Sequence, residues 1–212
     1  MDRAAPSAVD RLLELAEAGL AASFARPASR RPTPGDPAAA PADQAQRRQA
    51  AALMRVNHAG EIAAQGLYRG QALTARAPET RAALMQAAAE EGDHLAWCRE
   101  RLDELGARPS LLDPLWYAGS VALGAIAGLA GDRMSLGFMA ETERQVEGHL
   151  ASHLGRLPAA DLRSRAIVEQ MKADEAGHGR AALAAGAGSL PEPVPRLMRL
   201  TARIMTGTAY WI

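Results

Sequence analysis

Glu91-Gly92-Asp93-His94 and Glu175-Ala176-Gly177-His178 are one four-residue pattern, Glu-x-x-His, written twice in a chain of 212 residues. A solitary glutamate precedes each: Glu61 stands 30 residues before Glu91, and Glu143 stands 32 before Glu175. On a helix, residues three apart share a face, so each pair offers a carboxylate and an imidazole to one neighbour. The order Glu, Glu-x-x-His, Glu, Glu-x-x-His predicts four helices, arranged as two hairpins that meet at one acidic site.

Working outward from the first pair, residues 46–75 read as one helix, Ala77-Pro78 as a break, and Thr80 as the cap of a second helix reaching Leu105. Glu61 lies about 14 residues before the turn and Glu91 about 12 after it, so at ~1.5 Å per residue both stand ~20 Å from it. An antiparallel hairpin puts them level. Leu84, Ala88, Glu91, Leu95, Cys98, Leu102 and Leu105 form a heptad-like apolar stripe in which Glu91 holds a core position. The second half repeats this with Leu136, Met139, Glu143, Val146, Leu150 and His153, a turn over 155–161, then Val168, Met171, Glu175, His178 and Ala182.

A carboxylate among leucines costs several kcal/mol unless it is paired or bound to metal. No matching set of core lysines or arginines is evident, whereas two divalent cations would neutralise four glutamates and leave two neutral imidazoles as further ligands. Oxygen-rich ligands with one imidazole per ion suit iron or manganese. This ligand set belongs to the ferritin-like two-metal carboxylate bundles, so the expected fold is all-α: a ferritin-like four-helix bundle. One Glu-x-x-His is a weak signal; two among five histidines, each with a matched upstream glutamate, form a strong one.

The rest of the chain frames this bundle. Residues 8–24 have helical apolar spacing, suited to an amphipathic helix on the bundle or on a membrane surface, and the Pro/Ala-rich 25–45 reads as a linker. Between the second and third bundle helices, 106–133 must form a long apolar crossover. Pro114–Gly131 has no charged residue over 18 positions but contains four glycines, which favours a core or interfacial segment over a span. In the tail, Arg196, Arg199 and Arg203 share one helical face and Leu197, Leu200 and Ile204 another. This is either a basic amphipathic helix for a membrane interface or a helix docked on the bundle. The expected organisation is 1–45 as short helix and linker, 46–188 as bundle with crossover, and 189–212 as C-terminal amphipathic helix. Lys+Arg and Asp+Glu balance at 24 each, so no field points to nucleic acid. Cys98 is alone, which excludes a Cys-x-x-Cys metal site and fits a reducing compartment. No secretory or transit signal is evident in the first thirty residues. His149 and Tyr68 are candidate proton or electron relays; His58 could brace a ligand or be structural, and His153 reads as a plain helix residue.

Arg55-Val-Asn-His-Ala-Gly-Glu61, Glu91-x-x-His94, Glu143 with His149 six residues on, and Asp174-Glu175-x-x-His178 together resemble the demethoxyubiquinone hydroxylase family. The similarity covers about 54–179, including Arg108-Pro109 and Pro114-Leu115-Trp116. Asn57 departs from the Asp typical of eukaryotic members and leaves the ligand set intact. The resemblance implies two iron ions (Fe2+/Fe3+) held by Glu61, Glu91, His94, Glu143, Glu175 and His178, with Glu91 and Glu175 bridging. It implies an O2-dependent monooxygenase of ubiquinone biosynthesis that hydroxylates a 2-polyprenyl-3-methyl-6-methoxy-1,4-benzoquinol. A bilayer substrate implies a peripheral protein on the cytoplasmic face of the cell membrane, with the apolar crossover and basic tail helix as docking elements. Other ubiquinone-biosynthesis proteins or a lipid-presenting protein would be partners.

Two alternatives make different demands. A ferritin- or rubrerythrin-like protein handling iron or peroxide would keep the metals without a quinol; a membrane-associated scaffold with a vestigial bundle would need neither. The missing Cys-x-x-Cys argues against rubrerythrin, and the intact six-residue spacing argues against decay.

Overall fold

The computed structural model describes residues 7–37 and 43–212. Residues 1–6 and 38–42, parts of the expected N-terminal segment and linker, lie outside the described residues. The elements are α1 (Ala8–Phe24), α2 (Gln44–Thr74), α3 (Pro78–Glu104), α4 (Asp113–Leu129), α5 (Asp132–Arg156), α6 (Leu162–Ala184) and α7 (Pro193–Ala209). The described residues contain no strand, in agreement with the all-α expectation.

Helices α2, α3, α5 and α6 are the ferritin-like bundle, and its interior is layered. Leu53, Met54, Trp97, Cys98, Leu102, Leu150, Ile167, Val168 and Met171 fill one end. Leu67, Tyr68, Ala72, Leu84, Ala88, Met139 and Ala182 fill the other. Each of the four helices contributes to both layers, so the glutamates and histidines between them are enclosed by packed apolar side chains. Three local signals set the helix limits. Asp43 caps α2 by accepting from Gln46 N at 2.8 Å, and Asp161 caps α6 by accepting from Ser164 N at 3.0 Å. Thr80, expected as a cap, lies inside α3; that helix begins at Pro78 with Ala77 in the capping position. Proline lacks the N–H that a cap would have to satisfy there, and Asp132 at the start of α5 accepts the Arg76 and Ala77 N–H groups at 2.9 and 2.8 Å.

The charge-free stretch forms α4, which runs parallel to α2 and carries the chain from the end of α3 to the start of α5. A Cβ added at Gly66 would meet Tyr117 O at 2.7 Å, and one at Gly124 would fall on Leu67 O and 2.9 Å from Gln71 N. Gly66, Gly70, Gly124 and Gly128 thus let two backbones touch, and glycine serves packing here rather than flexibility. Helix α1 lies on α4, where Tyr117 packs against Gly19 and donates to Leu15 O at 3.2 Å. Among the described residues, no helix is long and apolar enough to cross a membrane.

Part of the expected linker is bound to the bundle. Thr33, Pro34 and Gly35 offer their carbonyls to the buried Arg163 guanidinium, and Ser29 Oγ accepts from the Trp97 indole N–H at 3.1 Å. The proline-rich composition suggested a tether because these contacts come from side chains far away in sequence.

Candidate metal centre

Level placement of the glutamates follows from the hairpins, and the structure brings all six expected ligands together. Glu61, Glu91, His94 and Glu175 form one group, and Glu91, Glu143, Glu175 and His178 a second; within each, the donor atoms lie within 4.8 Å of one another. Glu91 and Glu175 belong to both groups. Two adjacent positions that share two carboxylates, with one private glutamate and one private imidazole each, is the arrangement of a bridged two-metal site.

Both imidazoles turn Nδ1 inward. His94 Nδ1 is 3.0 Å from Glu91, 3.3 Å from Glu175 and 3.5 Å from Glu61. His178 Nδ1 is 3.2 Å from Glu175, 3.4 Å from Glu91 and 3.8 Å from Glu143. Each Nε2 is held by a carboxylate from the opposite motif: His94 Nε2 by Asp174 at 3.0 Å, and His178 Nε2 by Glu90 at 2.6 Å. Gln170 Nε2 donates to Asp174 at 2.9 Å, and Gln86 Nε2 donates to Glu90 at 3.0 Å. The internal repeat is therefore longer than Glu-x-x-His. It reads Gln-x-x-x-acid-Glu-x-x-His, Gln86 to His94 and Gln170 to His178, and the acid before each glutamate braces the other motif's histidine. Such a brace fixes the ring and directs Nδ1 at a metal. Glu90 and Asp174 escaped the sequence reading as functional residues, although their repetition ahead of both motif glutamates was the signal.

The donor chemistry fits a pair of cations. Glu61 Oε2 and Glu91 Oε1 are buried and have no hydrogen-bond partner within the protein, which is costly unless a cation completes them. Burial, together with the charges of Glu91 and Glu175, pushes Glu61 well above the usual carboxylate range against the opposing pull of His94. Burial and the same two neighbouring carboxylates do so for Glu143. Burial also opposes ionisation of Glu91, but the neighbouring imidazoles of His178 and His94 outweigh it and hold Glu91 at about 2. For His178, burial is overcome by Glu175 and Glu91, which lift it to about 12. Without metal the imidazoles act as the cations. Buried arginines do exist, but elsewhere: Arg101 pairs with Asp161 at 2.8 Å, and Arg163 with Glu100 at 2.7 Å.

Tyr68 is fully buried and its phenol donates to Glu143 Oε1. Burial first, then the Glu143 carboxylate, raises its pKa well above the usual range, so it stays a donor. His149 belongs to neither ligand group. It lines a groove of about 440 Å³ between α2, α5 and α7 that reaches Glu61 and is walled by Val56, Val146, Leu150 and Met205, with Arg144, Arg199 and Arg203 among its lining residues. His149 Nε2 is buried without a partner, and burial with nearby Arg156 lowers the ring to about 4, so it is neutral at neutral pH. The His153 ring packs tilted against it, centroids 4.0 Å apart, and His153 Nδ1 pairs with Asn57 Oδ1 at 2.8 Å. His58 Nδ1 lies 3.2 Å from Asp113, the two buried on α2 and α4, and His58 is in neither ligand group.

Comparison with known proteins gives the same family over most of the chain. The family model described as ubiquinone biosynthesis protein COQ7 matches residues 48–209. A protein of Variovorax paradoxus (strain S110), described as 3-demethoxyubiquinol 3-hydroxylase, is 60% identical over 208 residues, 97% of this chain and 99% of its own. Proteins with the same description from Nitrosomonas europaea and Cupriavidus metallidurans are 54% identical over 205 residues and 62% identical over 167. They cover 96% and 79% of this chain, and 99% and 81% of their own.

Proposed function

The chain belongs to the ubiquinone biosynthesis COQ7 family, and from that premise we propose that it is a di-iron monooxygenase that hydroxylates the ring of a demethoxyubiquinol with O2. The carrying observation is the pair of overlapping ligand groups that share Glu91 and Glu175. Its relatives are described as hydroxylases over nearly their full length, which favours this reading over iron storage or scaffolding.

Glu61, Glu91, His94 and Glu175 would hold one iron, and Glu91, Glu143, Glu175 and His178 the other. A pair of irons so held, reduced by an external two-electron donor, would pass those electrons to O2 and provide the site at which it is activated, one oxygen atom going to the ring and the other to water. The protein's own residues do the rest. Asp174 and Glu90 keep the imidazoles aimed inward, and Tyr68 holds Glu143 through its phenol proton. The apolar layers on both sides exclude water. The quinol enters by the α2/α5/α7 groove, its ring toward Glu61 and its prenyl tail along Val56, Val146 and Met205. Neutral His149 offers a single hydrogen bond to a ring oxygen and can pass one proton between it and the groove.

The tail must come from a bilayer, and the outer faces support a peripheral membrane position. Leu115, Leu123, Ile126 and Leu129 on α4, Leu197, Leu200 and Ile204 on α7, and Trp211 are all exposed. Arg196, Arg199 and Arg203 beside that α7 stripe suit the anionic headgroups of a cytoplasmic leaflet. The function is tested by quinone analysis in cells whose only copy carries Glu143→Ala. Accumulation of the demethoxy intermediate is expected, and unchanged ubiquinone refutes the assignment.

A further inference from the structure

The two halves of the centre match position for position, with Asp174 in one where Glu90 stands in the other, yet the rest of the chain treats them differently. A strap formed by residues 29–35 crosses α3 and α6 on the His94 side only. Arg31 is its central side chain: NH2 donates to Asp174 Oδ2 at 2.8 Å, and Nε donates to Asp93 Oδ2 at 3.2 Å. The guanidinium stacks over the Trp97 ring at 4.6 Å and sits 3.3 Å from His94 Nε2. The strap backbone is secured at both ends of this contact, by Arg30 N donating to Asp93 Oδ1 at 2.7 Å and by Arg163 NH1 donating to Gly35 O at 2.5 Å. Asp174 therefore accepts from Arg31, His94 and Gln170 at once. Its counterpart Glu90 accepts from His178 and Gln86, and among the described residues no guanidinium is hydrogen-bonded to it. Side-chain exposure follows the same division: 0% for His94 against 13% for His178, and 19% for Asp174 against 35% for Glu90.

We propose that this strap makes the two metal positions unequal, with Arg31 as a positioning residue that locks Asp174 and His94 and so makes the His94 position slow to exchange its ion, while the His178 position exchanges freely. The inference rests on the metal reading above. A histidine can leave its ion only by rotating, and rotation of His94 would break the Asp174 bond beneath a guanidinium anchored at two carboxylates. His178 needs only to part from Glu90, which is a third exposed and free to follow it into solvent. Loss of such an outer brace typically changes metal affinity ~10–100-fold.

The test is release of iron from the full-length chain, loaded anaerobically with ferrous ion and mixed with a chromogenic ferrous chelator. Two phases of equal amplitude are expected. Arg31→Ala should speed the slow phase at least ~10-fold and leave the fast phase within about twofold. Glu90→Gln should speed the fast phase alone, and Arg31→Lys, which keeps the charge without the two-armed fork, should fall between wild type and Arg31→Ala. Arg26→Ala, which removes the exposed pair with Asp103 just ahead of the strap, controls for general loosening and should alter neither phase. Should Arg31→Ala not fold, Trp97→Phe keeps the ring beneath Arg31 but deletes the N–H that holds Ser29, and the slow phase should again accelerate. Release of both ions in one phase from wild type, or a slow phase unmoved by these variants, overturns the proposal and leaves the metal reading standing. A chain that binds no ferrous iron refutes the metal reading itself.

Discussion

Removing the metal should reverse the pH dependence of stability. In the metal-free chain burial opposes the charge on His178, but Glu175 and Glu91 raise it from 6.5 to about 12. His94 is raised likewise, burial being overcome by Asp174, Glu175, Glu61 and Glu91. Unfolded imidazoles lose their protons near 6.5. Below that pH both rings are protonated in either state and the stabilisation is fully present; above it only the folded chain keeps the two protons. Stability therefore falls as pH rises, by about 1.4 kcal/mol per pH unit for each ring. From pH 7 to 8 the pair amounts to ~3 kcal/mol, a drop in Tm on the order of 10 °C for a chain of this size. Glu61 and Glu143, raised first by burial, act in the same direction above the ordinary carboxylate range. Glu91 opposes only in acid: held at about 2, its contribution is present above 4.5 and lost as pH falls toward 2. Bound metal displaces all these protons, so the loaded protein should gain stability over the same interval. Calorimetry of chelator-treated and loaded protein from pH 6.5 to 8 reads both slopes. Parallel slopes, or a metal-free Tm that does not move, refute the reasoning.

Tyr68→Phe deletes a buried donor to Glu143 and should cost ~1–3 kcal/mol in urea unfolding; no change would mean that the phenol merely fills space. Gly124→Ala should destabilise by ~1–3 kcal/mol because its Cβ collides with the α2 backbone. Gly119→Ala, where nothing lies within 4 Å, should be neutral or stabilising by up to ~1 kcal/mol, and equal effects at both positions in thermal melts would contradict the close α2–α4 contact. Replacing Leu197, Leu200 and Ile204 together by Ser should abolish sedimentation with anionic vesicles while leaving metal content unchanged; undiminished vesicle binding would remove α7 from the docking surface.

What could be read beforehand, and what could not, divides along physical lines. Apolar spacing reports which face of a helix is buried, so the stripe from Leu84 to Leu105, the hairpin turns and the level glutamates were all visible, and all seven residues of that stripe are buried. The apolar crossover announced itself by its missing charges, but its glycines make sense only beside Gly66 and Gly70 of α2. Periodicity says nothing about a non-helical strap. Arg31 reaches Asp174 across 143 residues of sequence, and a segment rich in proline and alanine carries no mark of that contact. Glu90 and Asp174 were in plain view as repeated acids, yet a carboxylate beside a ligand is ordinarily a solvated neighbour, and only the crossing of motif to motif reveals its task. His149 was expected near the site; the structure sets it in the groove wall, where it can meet a substrate rather than a ligand.

The most direct measurement is a single turnover of protein loaded anaerobically with ferrous iron, given a short-chain demethoxyubiquinol and then isotopically labelled O2, and read by mass spectrometry alongside iron content. About two irons per chain and one labelled oxygen atom in the new ring hydroxyl are expected, with Glu175→Ala yielding no labelled product. Full iron loading with no labelled quinol, or labelled product from the Glu175→Ala chain, would contradict a hydroxylating centre built on the shared glutamates.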